Sequence, residues 1–235
     1  MSRLLVSVRN KQEAIIARRA GVSIIDVKEP NNGPLGAASI ETVKSIADVC
    51  GDSIELSVAL GELVDVPKSL DFVNTIPNLG DVKRGLSKTT NVAWRDRWLQ
   101  AMSAVRPSIR RVLVAYADAD LAGSPAIDEL VEFGIENNLS TFLIDTFHKK
   151  NGNLFAHQSV SAIGRLICDA TEAGMDIAIA GSIDKTAVST LAAFEPTIIA
   201  VRGAVCQTDR TGMVDYDKIV SFRACLAESN LSGAS

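Results

Sequence analysis

The stretch SIIDVKEPNNGPLGAASIETVKSIADVCG, residues 23–51, decides the fold. Its first residues belong to a β-branched and apolar run, VSIIDV (22–27), that reads as a strand built for burial. A reversal rich in Asn, Gly and Pro follows. Ser39 then leads IETVKSIADV, a segment with helical spacing and a hydroxyl at its start to cap it. Another apolar run, IELSVAL (54–60), comes next. Strand, loop, helix, strand is the repeating unit of a parallel sheet. Asp26 and Lys28 stand two positions apart where the first strand gives way to the loop. As a surface ion pair they would stabilise by about 0–1 kcal/mol and need no function. At the mouth of a barrel they would be an active site.

The unit repeats along the chain. Strand-like runs recur at RLLVSV (3–8), VSIIDV, IELSVAL, DVKRG (81–85), RVLVAYA (111–117), TFLIDT (141–146), DIAIAG (176–181) and TIIAVRG (197–203). Helical spacing fills 10–20, 39–49, 67–77, 92–105, 125–138, 159–173, 184–194 and 215–228. Prolines lead PKSLDFV and PAIDELVEF, and Gly21, Gly134 and Gly174 fall near predicted helix ends. Eight units without a linker or a composition break predict a single α/β domain, a (β/α)8 TIM barrel over residues 1–235 with about 230–235 as a flexible tail, rather than a doubly wound sheet. The third helix is short and poor in helix formers, and strand four is polar for a central parallel strand.

Composition narrows the function. With 235 residues and 47% hydrophobic content the chain can bury a large core, and a net charge of −4 argues against a nucleic-acid or polyanion binder. Any basic site must therefore be local. The start, MSRLLVSVRNKQEA, has no signal-peptide run, and no segment approaches the apolar length of a membrane helix, so a cytoplasmic protein without membrane partners is expected. Cys50, Cys168, Cys206 and Cys225 are scattered without a C-x-x-C pair and read as reduced, mostly buried thiols. His148 and His157 lack metal-ligand spacing, so no metal is expected. Neither G-x-G-x-x-G nor a P-loop is present, which leaves nucleotide cofactors unindicated and no cofactor expected. Homo-oligomerisation is left open.

In a barrel the strand residues alternate between interior and helix layer, and catalysis sits at the C-terminal ends of the strands. Asp26 and Lys28 then share the inward face if Ile25 and Val27 face the helices. Strand four repeats this with Asp81, Lys83 and Gly85; strand six carries Leu143 and Asp145, with His148, Lys149 and Lys150 in the loop beyond; strand eight ends at Arg202. Alternate strands supply one layer of side chains, so Lys28, Lys83, Asp145 and Arg202 are expected to converge. Interior charges cost several kcal/mol unless paired or functional. The alternative is a paired network that merely closes the barrel top.

The opposite side of the mouth reads as a phosphate site. Gly181-Ser182 after strand seven and Arg202-Gly203-Ala204 after strand eight occupy the two loops whose backbone N–H groups commonly hold a phosphate in barrels. A lysine becomes nucleophilic when burial and neighbouring cations lower its pKa, and Lys28, Lys83, Lys149 and Arg202 would supply that repulsion while Asp26 and Asp145 move protons. The chemistry indicated is a Schiff-base lyase or aldolase acting on a small phosphorylated carbonyl compound. A triose- or pentose-phosphate isomerase or epimerase without an imine is the second reading, and a non-catalytic phosphate-binding barrel the third. The long loop KKNGNLFAHQS reads either as a lid or as a solvated excursion.

Taken together, IIDVKEPNNGPLGA, LIDTFHKKNGNLF, IAIAGSI and VRGAVC resemble the (5-formylfuran-3-yl)methyl phosphate synthase family, also called 4-(hydroxymethyl)-2-furancarboxaldehyde-phosphate synthase, from the first strand to the last helix. The resemblance implies a TIM-barrel lyase of methanofuran biosynthesis that condenses two molecules of glyceraldehyde 3-phosphate with loss of phosphate and water. It further implies an imine at Lys28, assisting lysines at Lys83 and Lys149, and carboxylates at Asp26 and Asp145. Strand four, DVKRGLSK, departs from the more apolar family pattern before that lysine.

Overall fold

Eight parallel strands close into a ring in chain order, β1 pairing with β8 at the seam through Arg3↔Ile198 to Val6↔Val201. The computed structural model describes residues 1–65 and 70–232. The strands are β1 (Arg3–Val8), β2 (Ile24–Val27), β3 (Glu55–Glu62), β4 (Leu79–Gly85), β5 (Arg110–Tyr116), β6 (Thr141–Asp145), β7 (Asp176–Ile179) and β8 (Ile198–Val201). Around them lie α1 (Lys11–Arg19), α2 (Ile40–Cys50), α3 (Trp94–Ser103), α4 (Ala119–Ala122), α5 (Ile127–Glu136), α6 (Val160–Glu172), α7 (Lys185–Leu191) and α8 (Tyr216–Ser232). The architecture is the expected TIM barrel.

Strand parity sorts the side chains into two cores. Ile25 and Val27 pack outward with Val43 and Ile46 of α2, while Ile24 faces the interior cluster with Leu5, Val114 and Leu143. Asp26 and Lys28 therefore share the inward side of β2, as the alternation predicts. The helices begin where side chains can satisfy their first N–H groups: Asn10, Ser39, Ser159 and Asp184 each accept from a backbone N–H three residues on.

Opposite the mouth, charges close the barrel at the N-terminal ends of the strands. Arg110 of β5 donates to both carboxylate oxygens of Asp81 at 2.7 and 3.0 Å and also bonds Glu55, which pairs with Arg3. Asp81 thus belongs to a structural network. Part of the polarity of β4 is explained by closure of the floor.

The third unit departs from the regular pattern. A helix is predicted over 67–77; residues 67–69 lie outside the described residues, and Asp71–Thr75 forms only a 3₁₀ turn. This segment contains Asn74 and lacks the sustained apolar face that would hold a helix on the sheet. Gly134 lies inside α5 rather than at its end, close against Met175, whereas Gly21 and Gly174 adopt the left-handed backbone of helix-terminal turns. α8 continues to Ser232, into the segment expected as a tail; residues 233–235 lie outside the described residues. Among the described residues no helix is long and apolar enough to cross a membrane.

Candidate active site

At the C-terminal ends of the strands a cavity of about 220 Å³ is lined by Asp26, Lys28, Lys83, Asp145, Lys149 and Arg210. Asp184 and Arg202 also border it, and Asp26 and Asp145 each already hold a lysine. Lys83 Nζ lies 2.8 Å from Asp26 Oδ1, and Ser7 Oγ donates to Asp26 Oδ2 at 2.9 Å. Burial alone would raise the Asp26 carboxyl, but Lys83, Lys28 and these hydrogen bonds hold it below its ordinary value. Across the cavity Lys149 donates to Asp145 and, at 3.2 Å, to Thr146 Oγ1. Burial draws the Lys149 amine down, against the pull of Asp145.

Lys28 is the exception. It is buried, and among the described residues its amine makes no hydrogen bond and no contact ion pair. Burial draws its pKa down to about 8; Lys149 and Lys83 act in the same direction, while Asp145 and Asp26 oppose it. The amine thus has its partners' charges nearby and none of their oxygens in its way. A lysine so lowered is part free base near neutral pH, the form of an amine that can act as a nucleophile.

Arg202 borders the cavity, but its guanidinium is fully engaged elsewhere, which corrects the expectation that it reaches a phosphate. Nε donates to Arg210 O at 2.6 Å; Nη1 to Ser7 O and Glu13 Oε2, both at 2.8 Å; Nη2 to Gly212 O at 2.9 Å and Glu13 Oε1 at 3.2 Å. A guanidinium has five N–H groups, and all five are used. Arg202 instead holds the loop after β8, and that loop brings in an arginine the sequence reading passes over. Arg210 donates to Pro30 O at 3.0 Å and Gly33 O at 3.2 Å, tying the loop after β8 to the loop after β2. Its other three N–H groups have no acceptor among the described residues.

The loops after β7 and β8 present backbone donors to the same cavity. Gly181 and Ser182 both have positive φ, +100° and +56°, which turns the chain at the end of β7. Gly203 and Ala204 open a short 3₁₀ turn, Gly203–Val205. Among the described residues no acceptor meets the backbone N–H of Gly181, Ser182, Gly203 or Ala204. All four border the cavity. The loop after β6 is anchored rather than free: Leu154 is wholly buried and its N–H donates to Gly181 O at 2.9 Å. His148 turns away to Asp118, whose carboxylate also accepts from the N–H groups of Phe147 and His148. His157 is not among the residues lining the mouth.

The fold and this mouth define a TIM barrel with a buried, unpaired lysine in a cavity at the C-terminal ends of its strands. The chain belongs to the 4-HFC-P synthase family, whose model matches residues 4–223. It is 31% identical over 215 residues to the (5-formylfuran-3-yl)methyl phosphate synthase of Methanopyrus kandleri, covering 87% of this chain and 90% of that protein. The protein of the same name from Archaeoglobus fulgidus is 28% identical over 230 residues, covering 94% and 97%. Among solved structures, phosphoribosyl anthranilate isomerase from Thermus thermophilus superposes with a TM-score of 0.63 at 13% identity, covering 96% of this chain and 98% of that one, a likeness of fold alone.

Proposed function

We propose that this chain is a Schiff-base lyase that joins two molecules of glyceraldehyde 3-phosphate into (5-formylfuran-3-yl)methyl phosphate, releasing one phosphate and two waters. Membership of the family and the names its relatives carry support the product. The observation that carries the mechanism is the Lys28 amine, buried, unpartnered and lowered to about 8. It adds to the carbonyl carbon of one triose phosphate, loss of water gives an iminium that acts as the electron sink when the neighbouring carbon gives up a proton, and the enamine so formed attacks the aldehyde carbon of the second triose. A hydroxyl then closes the ring, elimination of one phosphate and of water makes the furan aromatic, and hydrolysis of the bond to Lys28 frees the amine, so that one phosphate and two waters are released in all. Asp26 and Asp145, each with a lysine at hand to balance its charge, are suited to move the protons.

Two phosphorylated substrates need two anion sites. The N–H groups of Gly181, Ser182, Gly203 and Ala204 suit one phosphate, and Arg210 with Lys149 suits the other. Arg210→Gln is expected to raise KM about tenfold or more, the worth of a charge-assisted hydrogen bond, with kcat changed less and the melting temperature kept. Steady-state kinetics on glyceraldehyde 3-phosphate checks this; an unchanged KM would remove Arg210 from the substrate.

Borohydride reduction in the presence of glyceraldehyde 3-phosphate, followed by mass mapping, tests the imine directly. A substrate adduct confined to Lys28 is expected. Turnover without an adduct on any lysine would overturn the imine and favour an acid–base isomerase or epimerase on the same phosphate loops.

A further inference from the structure

β4 carries one charge that the mouth and the floor both leave unused. Asp81 pairs with Arg110 and Lys83 with Asp26, but Arg84 lies on the other side of the strand and faces the outer layer. It is only 4% exposed, and among the described residues its guanidinium makes no hydrogen bond or ion pair; Nε is enclosed without an acceptor. Burial pushes its pKa down, and Asp65 and Glu62 oppose this only from beyond contact. A buried, unpaired guanidinium is costly enough to need an explanation.

The explanation lies beside it. Arg84 borders a cavity of about 360 Å³ walled by Ile40 and Val43 of α2, Val58 and Leu60 of β3, and Leu70 and Phe72. The cavity lies between α2, β3 and the start of the turn Asp71–Thr75. Among the described residues it shares no lining residue with the mouth. Its size is that of a small-ligand site.

We propose that this cavity binds a small monocarboxylate with a short apolar body, the carboxylate paired with Arg84. A guanidinium fork matches a carboxylate in geometry as well as charge. The aliphatic walls suit a hydrocarbon body, and the Asp65 carboxylate on the rim disfavours a dianion such as a phosphate monoester.

The test uses the full chain with hexanoate as the probe and hexanol as its neutral counterpart, read by shifts of the Val43, Val58 and Leu60 methyl resonances and by melting temperature. Hexanoate is expected to bind about tenfold or more tightly than hexanol, to do so equally in saturating inorganic phosphate, and to lose that preference in Arg84→Met. Equal binding of acid and alcohol, displacement by phosphate, or shifts confined to Leu143 and Ala180 at the mouth would each overturn the proposal. Should Arg84→Met not fold, the acid–alcohol comparison in the wild-type protein decides alone. The result is independent of the chemistry at Lys28.

Discussion

Lys28→Met is expected to abolish turnover and to stabilise the protein at neutral pH. Removing the nucleophile should lower kcat by about 10⁴-fold or more, because the oriented carboxylates and phosphate donors cannot replace a covalent electron sink. The gain in stability follows from burial. Lowering the amine from its ordinary 10.5 to about 8 costs the folded state about 3 kcal/mol at pH 7. Below pH 8 both folded and unfolded chains hold the proton, and the cost is present in full. Between about 8 and 10.5 the unfolded chain binds the proton and the folded one does not, so stability rises with pH; above that range the cost is gone. Methionine keeps the apolar stem without the charge, so urea denaturation should show a gain of up to about 3 kcal/mol at pH 7 that fades above pH 10. In the wild type, kcat/KM should climb about tenfold per pH unit up to about pH 8 and then level off as the free amine saturates. A pH-independent profile, or a variant less stable than wild type at pH 7, would mean that Asp145 and Asp26 outweigh burial and keep the amine charged.

The inward placement of Asp26, Lys28, Lys83 and Asp145 is legible because strand parity is a local rule. Ile25 and Val27 must reach the helix layer, and this sends their neighbours to the barrel interior. The rule stops where the strand stops. Arg202 follows the last residue of β8, and its backbone there, with φ −138° and ψ −64°, no longer alternates. Its chief partner, Glu13, is 189 residues away in sequence and carries no local signal of its role. Arg210 is held by carbonyls of another loop, 180 and 177 residues distant. Loop residues of this kind are positioned by tertiary contacts that no periodicity encodes. Lys149, also in a loop, is singled out in the sequence by family resemblance and by charge, and its bond to Asp145 appears only in the folded chain. In the third unit the weak helix and the polar strand four are both visible as anomalies. That they meet at one cavity beside Arg84 follows only from the packing.

Arg202→Met should unfold the protein early rather than merely weaken substrate binding. The substitution strips Glu13, itself wholly buried, of two charge-assisted bonds and leaves Arg9 as its remaining cation. It also leaves the carbonyls of Ser7, Arg210 and Gly212 without this donor. Breaking a buried pair from one side costs about 3–5 kcal/mol, and in a chain of this size such a loss lowers the melting temperature by about 10 °C. Pairing the change with Glu13→Gln removes the stranded charge, so the double variant should be less destabilised than the two single effects added together. Below its melting point Arg202→Met should also show a raised KM, because the loop bearing Arg210 has lost the two hydrogen bonds that Arg202 donates to the carbonyls of Arg210 and Gly212. Arg210→Gln leaves that frame intact, so its fault should be confined to KM. A thermally wild-type Arg202→Met protein with a raised KM would reverse the two assignments and return Arg202 to the phosphate.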